Sequence, residues 1–290
     1  MDTITHALFG LTSYGAVNKG EMDRQTKKAL LFSAIAASQI PDIDVVASVT
    51  ETGRIMEQMW HRGLTHSFFL APIWALLIYV VSYLIWKRKD RMIYYLALLN
   101  VFIHNASDSL NAWGTGAFEP FSDIRVSFGV ISIVDFFIWF VMFAGFLVIR
   151  MKKNFPRHRI WKIVWLVIVF HVSLQSIQGY LLLNEAKGQY QEVALSAGFA
   201  PGQFSLIGKE NETVTIYDAT IWRGKDSRET LYSHEDADLE LLFQENPKAE
   251  VLKQWSPFVV VVETDQKLGI FDPRFYRNGE SFLFEYIEFQ

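Results

Sequence analysis

Apolar positions along this chain fall into two unlike regimes. Up to about residue 183 they form long runs separated by short charged stretches. Windows at 66–86, 92–110, 130–149 and 160–183 each approach the ~20 apolar residues that a helix needs to span a bilayer. Two earlier windows, 3–17 and 29–47, are shorter and rich in Ala, Gly and Ser. Small residues let helix backbones approach closely, so these two are expected as tightly packed helices entering the same bundle. From residue 184 the runs shorten. "VTIYDATIW" (214–222), "PFVVVVET" (257–264) and "SFLFEYIEF" (281–289) alternate partially with period two, between turn-like "PGQ", "GKEN" and "RNGE". That pattern predicts a small β-rich domain, with a helical turn or two over 234–245. The expected fold is therefore mainly α: an integral membrane helical bundle of about four to six membrane segments over 1–183, then an extracytoplasmic β-rich domain over 184–290.

Charge sharpens this division. Residues 1–183 hold 17 Lys/Arg against 12 Asp/Glu, and residues 184–290 hold 10 against 19. The cations of the first part sit in three connections. These are Lys19, Arg24, Lys27 and Lys28; Lys87, Arg88, Lys89 and Arg91; and Arg150, Lys152, Lys153, Arg157 and Arg159. The positive-inside tendency makes all three cytoplasmic. The connections 48–65 and 111–129, and everything after 184, are then expected outside. No strong basic patch is present, which argues against nucleic acid as a partner. There is no cysteine, so disulfides, thiolate metal sites and a Cys nucleophile are excluded.

Placed on that topology, the His and Asp residues concentrate at one level. His6 lies near the outer end of the first segment, and Asp42 and Asp44 of "IPDID" at the outer end of the second. His61 and His66 of "HRGLTHS" stand where the outer connection enters the third. His104 and Asp108 of "HNASD" lie near the outer end of the fourth, and Asp135 of "ISIVD" at the outer start of the fifth. His104 and Asp108 are four apart and share a helix face. His61 and His66 lie about 140° apart on an ideal helix, so Gly63 is expected to break it, leaving His61 in the loop and His66 in the first turn of the span. Each piece has an ordinary alternative, as a capping acid or a hydrogen-bonded His–Asp pair. Ionisable groups in membrane segments are nevertheless costly and usually face a functional interior. A sulfur-free His/Asp set suits a divalent metal, zinc first and manganese or iron as alternatives, in one to three ions. Such a site could activate water against a phosphoester, with Asp42 as ligand or general base. Arg125 in "FSDIRVSFG" is the cation best placed for a phosphate, and a salt bridge or interfacial anchor is its alternative. His171, Ser173, Gln175, Ser176 and Gln178 in the last span are expected to hydrogen-bond between helices.

The ordered set "MDTITHALFG", "IPDID", "HRGLTHS", "HNASDSLNAWGTG" and "PFSDIRVSFGVISIVD" resembles the membrane-bound metal-dependent hydrolase family typified by the bacterial YdjM and YfhP proteins. The likeness covers roughly residues 1–150, with H-R-G-x-T-H-S its most specific element. Asn105–Ser107 depart from the apolar residues usual there. The resemblance implies a metal site made of His6, Asp42, Asp44, His61, His66, His104, Asp108 and Asp135. The H-x-x-x-D element is also similar to that of zinc-dependent phospholipase C and P1-type nucleases, which implies phosphodiesterase-like chemistry. The expected function is a membrane-bound phosphoesterase acting on a membrane lipid or lipid-linked substrate at the outer face. A metal-stabilised scaffold or envelope-stress factor that binds a partner is the alternative. The oligomeric state is left open by the sequence.

Overall fold

A computed structural model describes residues 1–152 and 154–289, so Lys153 of the third cationic connection lies outside the described residues. The fold is mainly helical, with a β-rich C-terminal region. Helix α1 (Thr3–Ala16) opens on Asp2, whose carboxylate accepts from Thr5 N at 3.0 Å; α2 (Arg24–Ala37) opens on Asp23 in the same way. Both are side-chain N-caps, which satisfy amides that a helix start leaves unpaired. Past Ser38 the chain does not continue as α-helix. Pro41 cannot donate to the helix ladder, and residues Ile40–Val49 form a 3-10 segment instead. Two short helices follow, α3 (Glu51–Ile55) and α4 (Glu57–Trp60), then a single 3-10 turn at Leu64–His66. Helices α5 (Ala71–Trp86), α6 (Arg91–Ser109), α7 (Phe136–Met151) and α8 (Arg157–Ala186) complete the bundle.

Helices α2, α5 and α6 pack face to face through small side chains: Ala29, Ala34, Ala37, Ala71, Ala75 and Ala97 are all buried. α1 lies against α2 closely enough that a Cβ on Gly10 would sit 2.7 Å from Ser38 Oγ and 2.8 Å from Ala34 O. This is the close approach expected of the small-residue windows. Large apolar side chains such as Leu76, Phe140, Leu166 and Phe170 point outward on α5, α7 and α8.

Only α8, 30 residues long, is by itself long and apolar enough to cross a membrane among the described residues. The number rises to three if Arg24–Ala37 with Ile40–Val49, bent by 51°, and Glu57–His66 with Ala71–Trp86, bent by 71°, each make one span. The four to six spans expected from sequence are thus not reached by length and composition. α7 has only 16 residues, and α6 spends its buried face on Asn100, His104, Asn105 and Asp108.

Beyond α8, strands β1 (Glu192–Ala197), β2 (Phe204–Glu210), β3 (Thr213–Thr220) and β4 (Gly224–Tyr232) form an antiparallel meander. Helices α9 (Leu239–Glu245) and α10 (Pro247–Trp255) lead to a second antiparallel sheet of β5 (Val260–Glu263), β6 (Lys267–Phe271) and β9 (Phe284–Glu288). A two-residue hairpin, β7 (Tyr276–Arg277) with β8 (Glu280–Ser281), lies between the last two. One apolar cluster joins Ile131, Ile138 and Ile168 of the helical part to Leu195, Phe204 and Leu206 of the meander.

Candidate metal centre

The centre is assembled where α2 breaks. The 3-10 segment after Pro41 carries Asp42 and Asp44 under the connection that holds His61 and His66. That connection turns at Arg62, whose φ of 60° is left-handed, while Gly63 keeps a negative φ. The break expected at Gly63 is therefore one residue earlier. His66 belongs to the isolated 3-10 turn and not to the first turn of α5, because residues 67–70 intervene before that helix starts at Ala71, with Pro72 in its first turn.

Asp44 holds this turn together. Its Oδ2 accepts from Arg62 N at 2.8 Å and from Thr65 Oγ1 at 3.0 Å, and its Oδ1 faces His61 Nδ1 at 3.1 Å. Thr65 gives its proton to Asp44, so its oxygen is free to accept from His66 Nδ1 at 3.1 Å. From the other side, His104 Nδ1 lies 2.8 Å from the carbonyl of Ser38 at the end of α2, which can only accept. Each Nδ1 thus carries a proton, and in the neutral rings the Nε2 atoms of His66 and His104 present lone pairs. Those two atoms face each other at 3.0 Å. Asp42 Oδ1 lies 3.3 and 3.4 Å from them, and Asp108 Oδ2 lies 3.4 and 3.5 Å away.

Four electron-pair donors therefore converge in one buried place. Asp42, His66, His104 and Asp108 each offer an atom within 4.8 Å of the others, as do Asp42, Asp44 and His61 in an adjoining group. A shared proton would reconcile two lone pairs; a divalent cation reconciles all four. The donor set of nitrogen and oxygen fits such an ion. The second nitrogen of each imidazole is tied to a carbonyl or to a hydroxyl–carboxylate relay, the support that metal-binding histidines ordinarily have. Asp42, with its side chain 20% exposed, and His61, 27% exposed, form the open side.

His6 closes the inner side. Its ring stacks on His104 at 3.7 Å, its Nε2 lies 3.2 Å from Asp108 Oδ1, and its Nδ1 has no partner. The amino group of Met1 also contacts Asp108 Oδ1. Arg62, which the sequence reading passed over, is buried with Nε 3.1 Å from Asp108 Oδ2 and further contacts to Asn111 Oδ1 and Met1 O. Its place inside H-R-G was the available signal.

Asp135 and Arg125 stand apart from these groups. Asp135 caps α7 through Ile138 N at 3.0 Å, and its other oxygen faces His171 Nε2 at 3.0 Å. Its side chain thus turns toward α8. His171 accordingly makes the interhelical contact expected of it. Arg125 is not poised for a phosphate: its guanidinium donates to the carbonyls of Met59, His61 and Trp113. Those three bonds occupy three of its five N–H groups, one on each nitrogen. Burial, with Arg62 second, lowers its pKa to about 10, so it remains a cation at neutral pH. Its effect is to fix the backbone on either side of Trp60.

Residues 1–181 match the family described as YdjM inner membrane protein. Over 143 residues the chain is 34% identical to the uncharacterized protein YfhP of Bacillus subtilis (strain 168), covering 48% of this chain and 43% of that protein. It thus spans less than half the length of the curated relative it matches, and no solved structure matches it. With the family match running through every residue of the His/Asp cluster, the chain belongs to the YdjM inner membrane protein family.

Proposed function

We propose that the chain is a membrane-bound metal-dependent hydrolase whose site is built on Asp42, His66, His104 and Asp108, with His6, His61 and Asp44 adjoining. The observation that supports it best is the pair of Nε2 atoms 3.0 Å apart between two carboxylates. A divalent ion there, zinc by preference for this donor set, would polarise a phosphoryl oxygen and bring the pKa of a bound water to ~7. The chain's own residues do the rest. Asp42, on the open side, is the carboxylate placed to take a proton from an entering nucleophile. Arg62 offsets the charge of Asp108, and Asp44 holds His61 and His66 in register. The substrate class in this reading is a phosphoester of a membrane lipid or lipid-linked compound. The chain crosses the membrane four to six times, and the site and residues 184–290 face outward.

The test is metal analysis of purified protein together with hydrolysis of a panel of lipid phosphoesters. Stoichiometric metal lost in His104→Ala and Asp108→Asn, with activity lost in parallel, is expected. Wild-type protein that takes up neither zinc nor manganese refutes the metal reading. A second reading is favoured by burial: His66, His104 and Asp108 are each no more than 1% exposed, as in closed structural sites. On that reading the ion stabilises a scaffold. Metal would then be present and melting would depend on it, with no phosphoester hydrolysed.

A further inference from the structure

Away from the His/Asp cluster, α1 and α7 both pack on α8 but barely touch each other, leaving a lateral groove of about 1070 Å³. Trp161 lines it and fits against α1 only because Gly15 has no side chain: a Cβ there would fall 2.3 Å from the indole. The walls are apolar and aromatic, led by Leu11, Phe140 and Phe143. At one end only, where α1 finishes and α8 begins, the lining becomes cationic, with Lys19 and Arg157. No carboxylate lines the groove among the described residues.

Three properties of this groove select its occupant. Along α7 it runs from Phe136 to Phe146, about 15 Å at 1.5 Å per residue. That is half of a ~30 Å hydrocarbon core, the depth of one leaflet. An apolar trough of that length with cations at its mouth has the polarity of a single phospholipid with an anionic headgroup. Lys19 gives the mouth a further bias. Burial, with Lys27 second, lowers its pKa to about 8, which leaves it a cation at neutral pH; its Nζ donates to the carbonyls of Tyr14 and Val17, and the third N–H is left for an anion. We propose that the groove between α1, α7 and α8 is a binding site for one anionic phospholipid. The acyl chain lies over Trp161, and the headgroup phosphate meets Lys19 and Arg157.

The experiment uses the full chain purified in detergent. Native mass spectrometry follows lipid retention after addition of phosphatidylglycerol, phosphatidylcholine of the same chain length, or inorganic phosphate. One phosphatidylglycerol per chain is expected, preferred about 25-fold over phosphatidylcholine if each of two cations contributes about fivefold. Inorganic phosphate should neither bind nor raise the melting temperature. Lys19→Gln with Arg157→Gln should abolish the preference. The equally basic but grooveless Lys87→Gln with Lys89→Gln should leave it intact. Leu11→Trp, which narrows the trough and keeps the cations, should lower retention of both lipids. Equal retention of the two lipids by the wild type overturns the proposal. So does loss of preference in the Lys87/Lys89 variant, or unchanged retention in Leu11→Trp. A photo-crosslinker at Phe143 that captures a second polypeptide in place of lipid also overturns it.

Discussion

Asp44 is the residue whose replacement separates holding a metal from arranging its holders. One carboxylate collects Arg62 N, Thr65 Oγ1 and His61 Nδ1 within 3.1 Å, and through Thr65 it also sets the proton of His66. In Asp44→Asn the side chain keeps its shape and one oxygen, so one or two of these acceptor contacts must fail whichever way the amide is turned. A hydrogen bond to a charged group contributes about 1.5–3 kcal/mol. Losing one predicts a metal affinity lower by about 10- to 100-fold, which is about 1.4–2.7 kcal/mol and the usual range for a supporting residue. Competition of purified protein against a chelator of known zinc affinity reads this directly. The variant should still bind one equivalent at saturating zinc, since Asp42, His66, His104 and Asp108 are untouched. An affinity within twofold of wild type would refute the orienting role. Complete loss of binding in a folded protein would show instead that Asp44 is itself indispensable as a ligand.

Three further outcomes are expected. Gly10→Ala should force α1 from α2 at Ser38, the residue whose carbonyl fixes His104, lowering stability by about 1–3 kcal/mol in thermal melts; an unchanged melting temperature would mean that α1 and α2 are not packed this closely. His171→Ala removes one of the two partners of the buried Asp135 and should cost about 1.5–3 kcal/mol while metal content stays at the wild-type level; loss of metal in a protein that still folds would return Asp135 to the site. Glu119, beside Gly63 and Gly116, has its pKa raised chiefly by burial. A raised acid pKa gives stability present below the unfolded value of about 4.3 and lost as pH rises through the folded one. Glu119→Gln should therefore melt higher than wild type at pH 7 but not at pH 4, and an equal difference at both pH values would exclude burial of the charge as the cause.

The helical character of the first part was readable because apolar windows and their charged boundaries are local signals. So were the strands at 213–220, 260–263 and 284–288. Strand β4, "GKDSRETLY", escaped because it is a charged sheet edge with few buried side chains, and α10 escaped behind Pro247. At the centre, spacing correctly marked His104 and Asp108 as sharing a face. The convergence of Asp42 and His66 on them depends on two backbone breaks, at Pro41 and Arg62, and no periodicity encodes those. Arg62 was passed over in the sequence. Only the fold shows its guanidinium buried against Asp108, Asn111 and Met1. Asp135 shows the converse limit, since a topology rule fixes depth but not the direction in which a side chain turns.

Arg274, between β6 and β7, is buried, paired with Asp272 at 2.6 Å, and donates to the carbonyl of Ala112 before α7. Trp255 at the end of α10 packs on Trp113 with ring centres 4.9 Å apart. These contacts join a stretch that precedes α7 to a stretch that follows α8. Nothing can make them through a bilayer, so the polypeptide between Trp113 and Trp255 must cross the membrane an even number of times. If α8 crosses, a return crossing is obligatory, and α7 is the apolar helix available to make it. Sixteen residues reach only about 24 Å, so a crossing by α7 would require the bilayer beside it to thin or the helix ends to sink into its interfaces. The seam between Trp113 and Trp255 thus constrains the parity of the whole topology, whichever compartment it faces.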